Sequence, residues 1–162
     1  LLEASRERPS NALLGLLASL RRARSLNLDG VLALACDMPF VEPEDLDPLL
    51  SGLRGGADVA RWIVPDASAE PGSAPRPQPL VAAYRCTVED AAEQALARGA
   101  RRLVAIDEES AAGGRRLRIE GIVAQENSVF RLVNVNTPTD YDAARTAAGA
   151  SSSTAHRSSP RT

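Results

Sequence analysis

Asp37 stands where an apolar run ends, in Val31-Leu32-Ala33-Leu34-Ala35-Cys36-Asp37-Met38-Pro39. The run has no polar alternation, which is the pattern of a parallel-sheet strand covered on both faces. Pro39 has no N–H to give a ladder, so the strand stops before it. Asp37 is therefore expected at the carboxyl end of an interior strand, the edge where open α/β sheets bind ligands. A charge there is costly unless something positive meets it. Two roles suit the position. One is a cap on the following turn. The other is a Mg²⁺ ligand facing a nucleotide phosphate, because Mg²⁺ takes one or two carboxylates and fills its shell with water and phosphate oxygens.

A second polar group closes the chain's ordered part. Val129 to Val135 reads as a strand after a turn at Glu126-Asn127-Ser128. Asn134 and Asn136 alternate at its end and so face one side. Thr137-Pro138-Thr139-Asp140 then opens a helix: Thr137 caps it, Pro138 takes the first helical position, and Asp140 lies three residues past the cap. The amides thus stand beside a helix N-terminus, which suits anions. Gln78 precedes a strand expected over Pro79–Arg85 and would point from a loop, as a surface residue or a hydrogen-bond donor to a ligand.

The elements that must carry these residues follow from periodicity. Leu13, Leu16, Leu17 and Leu20 form one face of a helix from about Ser10 to Arg24, started by Ser10 or Asn11. Glu42 to Asp45 starts a second helix, with Leu46, Leu49, Leu50 and Leu53 buried, a bend or restart at Pro48, and Gly55-Gly56 as its stop. Asp58 to Val64 is a strand in which Trp62 packs on a helix. Pro65 to Pro77 is a long loop. Thr87-Val88-Glu89-Asp90 approximates a capping box for a helix ending near Arg98. Arg101 to Glu109 is helix or strand, and Leu117 to Ala124 is a strand. From Ala147 the chain turns to Ala, Ser, Thr, Arg and Pro, the composition of a disordered tail that holds the sole histidine, His156.

Composition excludes several classes. The 162 residues fit one domain, and a net charge of −2 gives no electrostatic case for nucleic acid or an anionic membrane. The 19 basic residues are all arginine, so P-loop and Schiff-base lysines are absent from this sequence. Aromatic residues make up 3%, too few for a base-stacking platform. Cys36 and Cys86 have no metal-ligand spacing and are expected as small buried hydrophobes. No membrane span or signal peptide is visible, so a cytoplasmic location is the default expectation.

Three segments, in order, resemble the MobA-like nucleotidyltransferases, the molybdenum cofactor guanylyltransferases. They are Leu34-Ala35-Cys36-Asp37-Met38-Pro39-Phe40-Val41, Gln78-Pro79-Leu80-Val81-Ala82-Ala83-Tyr84-Arg85, and Asn134-Val135-Asn136-Thr137-Pro138-Thr139-Asp140. Asn11-Ala12-Leu13-Leu14-Gly15 is similar to the family's Gly-Pro-Leu-Ala-Gly loop but lacks its Gly-Pro. The resemblance implies a Rossmann-like, open, mostly parallel α/β sheet with helices on both faces, over residues 1–146, as a partial domain, with 147–162 as the tail. It implies transfer of GMP from GTP to molybdopterin with Mg²⁺ as cofactor, Asp37 as the metal ligand, and Gln78, Asn134 and Asn136 at the pterin-bearing substrate. Glu3 is the acid nearest the place of the family's upstream nucleotide contact. GTP, molybdopterin and other molybdenum cofactor proteins are the implied partners.

The family's glycine-rich nucleotide loop, with its Arg and Lys, has no counterpart here. The expectation is an N-terminally truncated chain, weak or inactive by itself. Alternatives are a non-catalytic relative, and a cytidylyl or sugar-phosphate nucleotidyltransferase. A phosphoacceptor domain is disfavoured by the absence of lysine. The pairs Arg101-Arg102 and Arg115-Arg116, with Arg118, suit either a phosphorylated substrate or a solvated edge.

Overall fold

The computed structural model describes residues 11–64, 75–111, 116–125, 129–132 and 134–155, the last eight as backbone alone. Helix α1 (Ala12–Ser25) buries the expected leucines, and Asn11 Oδ1 accepts from the Leu14 N–H at 3.0 Å as its cap. Strand β1 (Gly30–Leu34) follows, then helix α2 (Pro43–Arg54), which runs through Pro48 without restarting. Strands β2 (Val59–Val64) and β3 (Arg76–Arg85) come next. A 3₁₀ turn over Cys86–Val88 leads into α3 (Glu89–Ala97), and α4 (Ala105–Ala111) resolves the Arg101–Glu109 stretch as a short helix. Strand β4 (Ile119–Val123), a 3₁₀ turn over Val129–Leu132 and helix α5 (Pro138–Ala155) complete the order.

The sheet order is β1-β3-β2-β4. β3 pairs antiparallel with β1 and β2, and β4 pairs parallel with β2. Three strands therefore point one way and β3 opposes them, a mixed α/β sheet that is mostly parallel in direction. On one face α1, α3 and α4 close a core around Leu13, Leu20, Tyr84 and Ile106; on the other, Leu49 of α2 packs with Trp62, Val81 and Leu132. The carboxyl ends of β1, β2 and β4 and the start of β3 share one edge, as the pairings Leu34↔Val81 and Val64↔Arg76 require.

β1 is not the interior strand its apolar run suggests. It lies at the end of the order, with β3 as its only neighbour among the described strands. Val31 and Ala33 pack on the α1 core, whereas Leu32 and Leu34, on the opposite face, are 38% and 50% exposed. An apolar run marks capacity for burial; here one face is covered.

Five more expectations change. Residues 129–132 coil into a 3₁₀ turn, so Asn134 and Asn136 do not sit on a strand end. Gln78 lies inside β3: the β2–β3 ladder jumps from Arg61↔Ala82 to Trp62↔Gln78, leaving Pro79 to Val81 as extra residues. Pro79 has no N–H for the ladder, which fits an irregularity there. Thr87 does not cap α3; its hydroxyl donates to the buried Asp58 carboxylate. Cys36, two residues past the end of β1, is exposed, and Cys86 is half-buried. Helix α5 continues from Ala147 to Ala155, into the stretch read as tail, while His156 and the residues after it lie outside the described residues.

Candidate functional site

The carboxyl edge of β1 is joined to the segment before α5 by two hydrogen bonds. The Asn134 Nδ2 amide donates to Asp37 Oδ2 at 2.8 Å, and the Val135 backbone N–H donates to the Asp37 carbonyl at 2.7 Å. Asp37 is half-buried, and among the described residues its Oδ1 takes no hydrogen bond. A carboxylate held by one oxygen and open at the other can take a cation while its rotamer stays fixed.

A buried ion pair places that segment. Arg131 binds Asp45 through two nitrogens, Nε to Oδ2 and Nη2 to Oδ1, each at 2.8 Å, and the Asp45 side chain is 3% exposed. Such fork-to-fork pairing fixes orientation as well as distance. Asp45 also accepts from the Glu42 N–H at the start of α2, and its carbonyl accepts from Trp62 Nε1, both at 2.9 Å. Asp45 holds the Arg131 guanidinium above its ordinary range. The next residue, Leu132, is fully buried and its carbonyl accepts from Gln78 Nε2 at 3.2 Å. Asp45, Trp62, Gln78 and Arg131 thus carry the chain into the position from which Asn134 reaches Asp37.

The start of α5 is capped by its own carboxylate. Asp140 Oδ2 accepts from the Asn136 N–H at 3.1 Å and the Thr137 N–H at 2.9 Å, and the Asp140 N–H donates to Thr137 Oγ1. The Thr137 hydroxyl, then the two backbone N–H groups, hold the Asp140 carboxyl below its ordinary value. The expected helix and cap are present, and the cap occupies the N–H groups of Asn136, Thr137 and Asp140.

The structure therefore brings Asp37 and Asn134 into contact and sets Gln78 on the same edge as a brace for Leu132. Asn136 is exposed beside them; its backbone serves the cap, and its side chain has no partner among the described residues. Glu3 lies outside the described residues, as does Arg115. Arg118 is remote: it precedes β4, at the opposite edge, and donates to the Gly55 carbonyl at 2.9 Å. Arg101 and Arg102 are exposed in the turn before α4. Sequence reading missed the Asp45–Arg131 pair. The Glu42-x-x-Asp45 spacing hinted at a cap, but nothing local ties Asp45 to an arginine 86 positions on.

No group of three or more His, Cys, Asp or Glu among the described residues forms a ready metal cage. A Mg²⁺ ion needs less than that when a phosphate substrate completes its shell, and the open Oδ1 of Asp37 fits that mode.

Residues 4–113 match the MobA-like NTP transferase domain family. The chain belongs to this family. Solved structures of similar fold include two. A molybdopterin-guanine dinucleotide biosynthesis protein A from Archaeoglobus fulgidus is 26% identical over 85% of this chain and 63% of its own, with a TM-score of 0.58. A protein from Aquifex aeolicus is 18% identical over 80% of this chain and 58% of its own, with a TM-score of 0.60, a likeness of fold alone. The MobA-like chain thus spans less than two thirds of either structure. No curated protein matches it. Asn134 and Asn136 lie beyond the matched range, so their approach to Asp37 is an observation of the structure and not of the match. No helix among the described residues is long and apolar enough to cross a membrane.

Proposed function

We propose that this chain carries the acceptor side of a nucleotidyl transfer site that moves GMP from GTP to molybdopterin. In that reaction a terminal phosphate oxygen of the acceptor attacks the α-phosphorus of GTP, a new P–O bond forms, and pyrophosphate leaves. Such transfers ask a protein for positioning and for neutralisation of phosphate charge rather than for covalent chemistry. The observation that carries the reading is the Asp37–Asn134 contact at the carboxyl edge of a sheet in the MobA-like family.

Asp37 would hold a Mg²⁺ ion through Oδ1. When bound, that ion offsets charge on the phosphate oxygens. Asn134 keeps the Asp37 carboxylate in one rotamer. Asn136 presents a free amide to the acceptor, and Gln78 acts indirectly, by holding Leu132.

The test follows label from α-³²P GTP to molybdopterin in the presence of Mg²⁺, beside Asp37→Ala, with CTP and a hexose 1-phosphate as competing donor and acceptor. Label on molybdopterin that is lost in Asp37→Ala supports the assignment. Transfer from CTP, or to the sugar phosphate, in preference would replace it with another nucleotidyl transfer. Undiminished transfer by Asp37→Ala would remove Asp37 from the metal role.

A further inference from the structure

Seven large apolar side chains stay exposed among the described residues, and three of them, Leu28, Leu32 and Leu34, lie on β1 or just before it. Exposed apolar residues gathered in this way mark an interaction surface. The strand is open at its backbone as well. The Asp29 carbonyl accepts from the Cys86 N–H at 2.8 Å, and the Ala35 N–H donates to the Leu80 carbonyl at 2.9 Å. Backbone groups alternate sides along a strand, so Val31 and Ala33 also turn theirs to β3. Gly30, Leu32 and Leu34 turn their N–H and C=O groups outward, where no described strand meets them. Edges are usually blunted by a charge, a proline or a bulge. Gly30-Val31-Leu32-Ala33-Leu34 has none of these.

A cavity of about 500 Å³ opens beside this edge, on the α2 side of the sheet. Its lining includes Leu28, Gly30 and Leu32 from the β1 segment and Leu50, Leu53 and Arg54 from α2. Arg54 is exposed and has no ion pair among the described residues. Leu34, on the same face of β1 as Gly30 and Leu32, stands free beyond the cavity. One strand therefore carries both a socket and an apolar side chain of the kind that fills one.

We infer that β1 pairs with β1 of a second copy of this chain, antiparallel, about a two-fold axis at Leu32. In that register Leu32 lies across from itself, and Gly30 lies across from Leu34. All three are outward-turned positions, so each pair exchanges the hydrogen bonds of an antiparallel ladder. Leu34 of each copy then meets a glycine, which leaves it room over the cavity beside Gly30 and Leu32. A two-fold axis makes this contact twice and uses both sockets, which a second copy matches in both directions at once. Charge agrees with the same orientation. The antiparallel copy brings the carboxyl end of its β1 towards the rim that holds Arg54, and that end is followed in the chain by exposed Glu42 and Glu44. The pairing consumes the open edge of both strands, so growth there stops at two chains.

The contact is small, so the dimer is reversible and its population rises with concentration. Sedimentation velocity of the whole chain over a concentration series should show the mass rising from one chain to two and no further. Amide hydrogen exchange reads the register. Protection at Gly30, Leu32 and Leu34 should rise with concentration, while Val31 and Ala33, already bonded to β3, stay unchanged. Leu32→Lys and Leu32→Glu should each move half-dimerisation to about tenfold higher concentration or more, because one substitution takes two leucines out of a two-fold contact and sets like charges opposite. Mixing the two variants puts opposite charges across the axis and should restore a dimer with one of each. A single-chain mass at every concentration, growth past two chains, or a mixture no better than either variant would overturn the inference. Protection of Leu32 that ignores concentration would also overturn it, since the edge would then be covered within one chain, as would dimers that leave these amides unchanged. Should either variant fail to fold by circular dichroism, the exchange pattern of the parent chain decides alone. These readouts use neither nucleotide nor metal, so they succeed or fail independently of nucleotidyl transfer.

Discussion

Asn134 Nδ2 lies 2.8 Å from Asp37 Oδ2, although 97 positions separate the two residues. The bond steadies the carboxylate without enclosing it. Residues that orient a metal ligand in this way typically contribute 10- to 100-fold to metal affinity. Asn134→Ala is therefore expected to weaken Mn²⁺ binding about tenfold or more, read by the loss of free-ion signal in electron paramagnetic resonance. The Val135 N–H to the Asp37 carbonyl survives the change, so the fold should persist. Equal Mn²⁺ affinity in parent and variant would show that the contact does not serve a metal.

The Asp45–Arg131 pair carries a stability prediction. Removing one partner of a buried pair strands the other charge, typically at about 3 kcal/mol or more. Asp45→Ala should lower unfolding stability by roughly that amount, less some relief because Arg131 keeps partial contact with solvent. Replacing both residues together, Asp45→Leu with Arg131→Met, should cost clearly less. Urea titration can follow this through the fluorescence of Trp62, whose indole N–H bonds the Asp45 carbonyl. A double replacement as damaging as the single one would argue against a stranded charge.

Acid should loosen the start of α5. The Asp140 carboxyl is held below its ordinary value, so the unfolded chain binds that proton first as pH falls. The stabilisation is complete above the ordinary carboxylate range and is lost as pH descends through the lowered folded value. Amide shifts of Asn136 and Thr137 should titrate together with a midpoint below 3.8, the ordinary value. Asp140→Asn should abolish that titration. A midpoint above the ordinary range would reverse the sign and refute the cap.

The outer side of β1 carries Leu32 and Leu34 in the open. An apolar strand at the edge of a sheet is a template for pairing with other chains. Leu34→Lys should lower self-association, measured by light scattering against concentration, with little change in folding, since that side chain is already half exposed. Scattering that rises as steeply in the variant would place the sticky surface elsewhere.

The helices were readable wherever local chemistry decides them. Leu13, Leu16, Leu17 and Leu20 announce α1 by spacing, Asn11 starts it, and Thr137, Pro138 and Asp140 open α5 as expected. Val129 to Val135 misled because its β-branched and aromatic residues favour extension, while Arg131 is drawn to Asp45 and Leu132 into the α2-side core. Those partners are remote in sequence and leave no period to detect. The position of β1 was hidden for a related reason: an apolar run states what a strand can bury, and its neighbours decide what it does bury. For the site, Asp37 was marked by the proline after it and Asn134 by the helix cap that follows. The distance between them was not legible, because it depends on the clasp at Asp45.

Cys36 stands exposed one residue before Asp37, whereas Cys86 is half-buried at the start of the turn after β3. An alkylating reagent in limiting amount should therefore choose between two thiols by access. A fluorophore or nitroxide installed in this way would sit just past the end of β1, where the arrival of a cation could be watched without introducing a foreign residue.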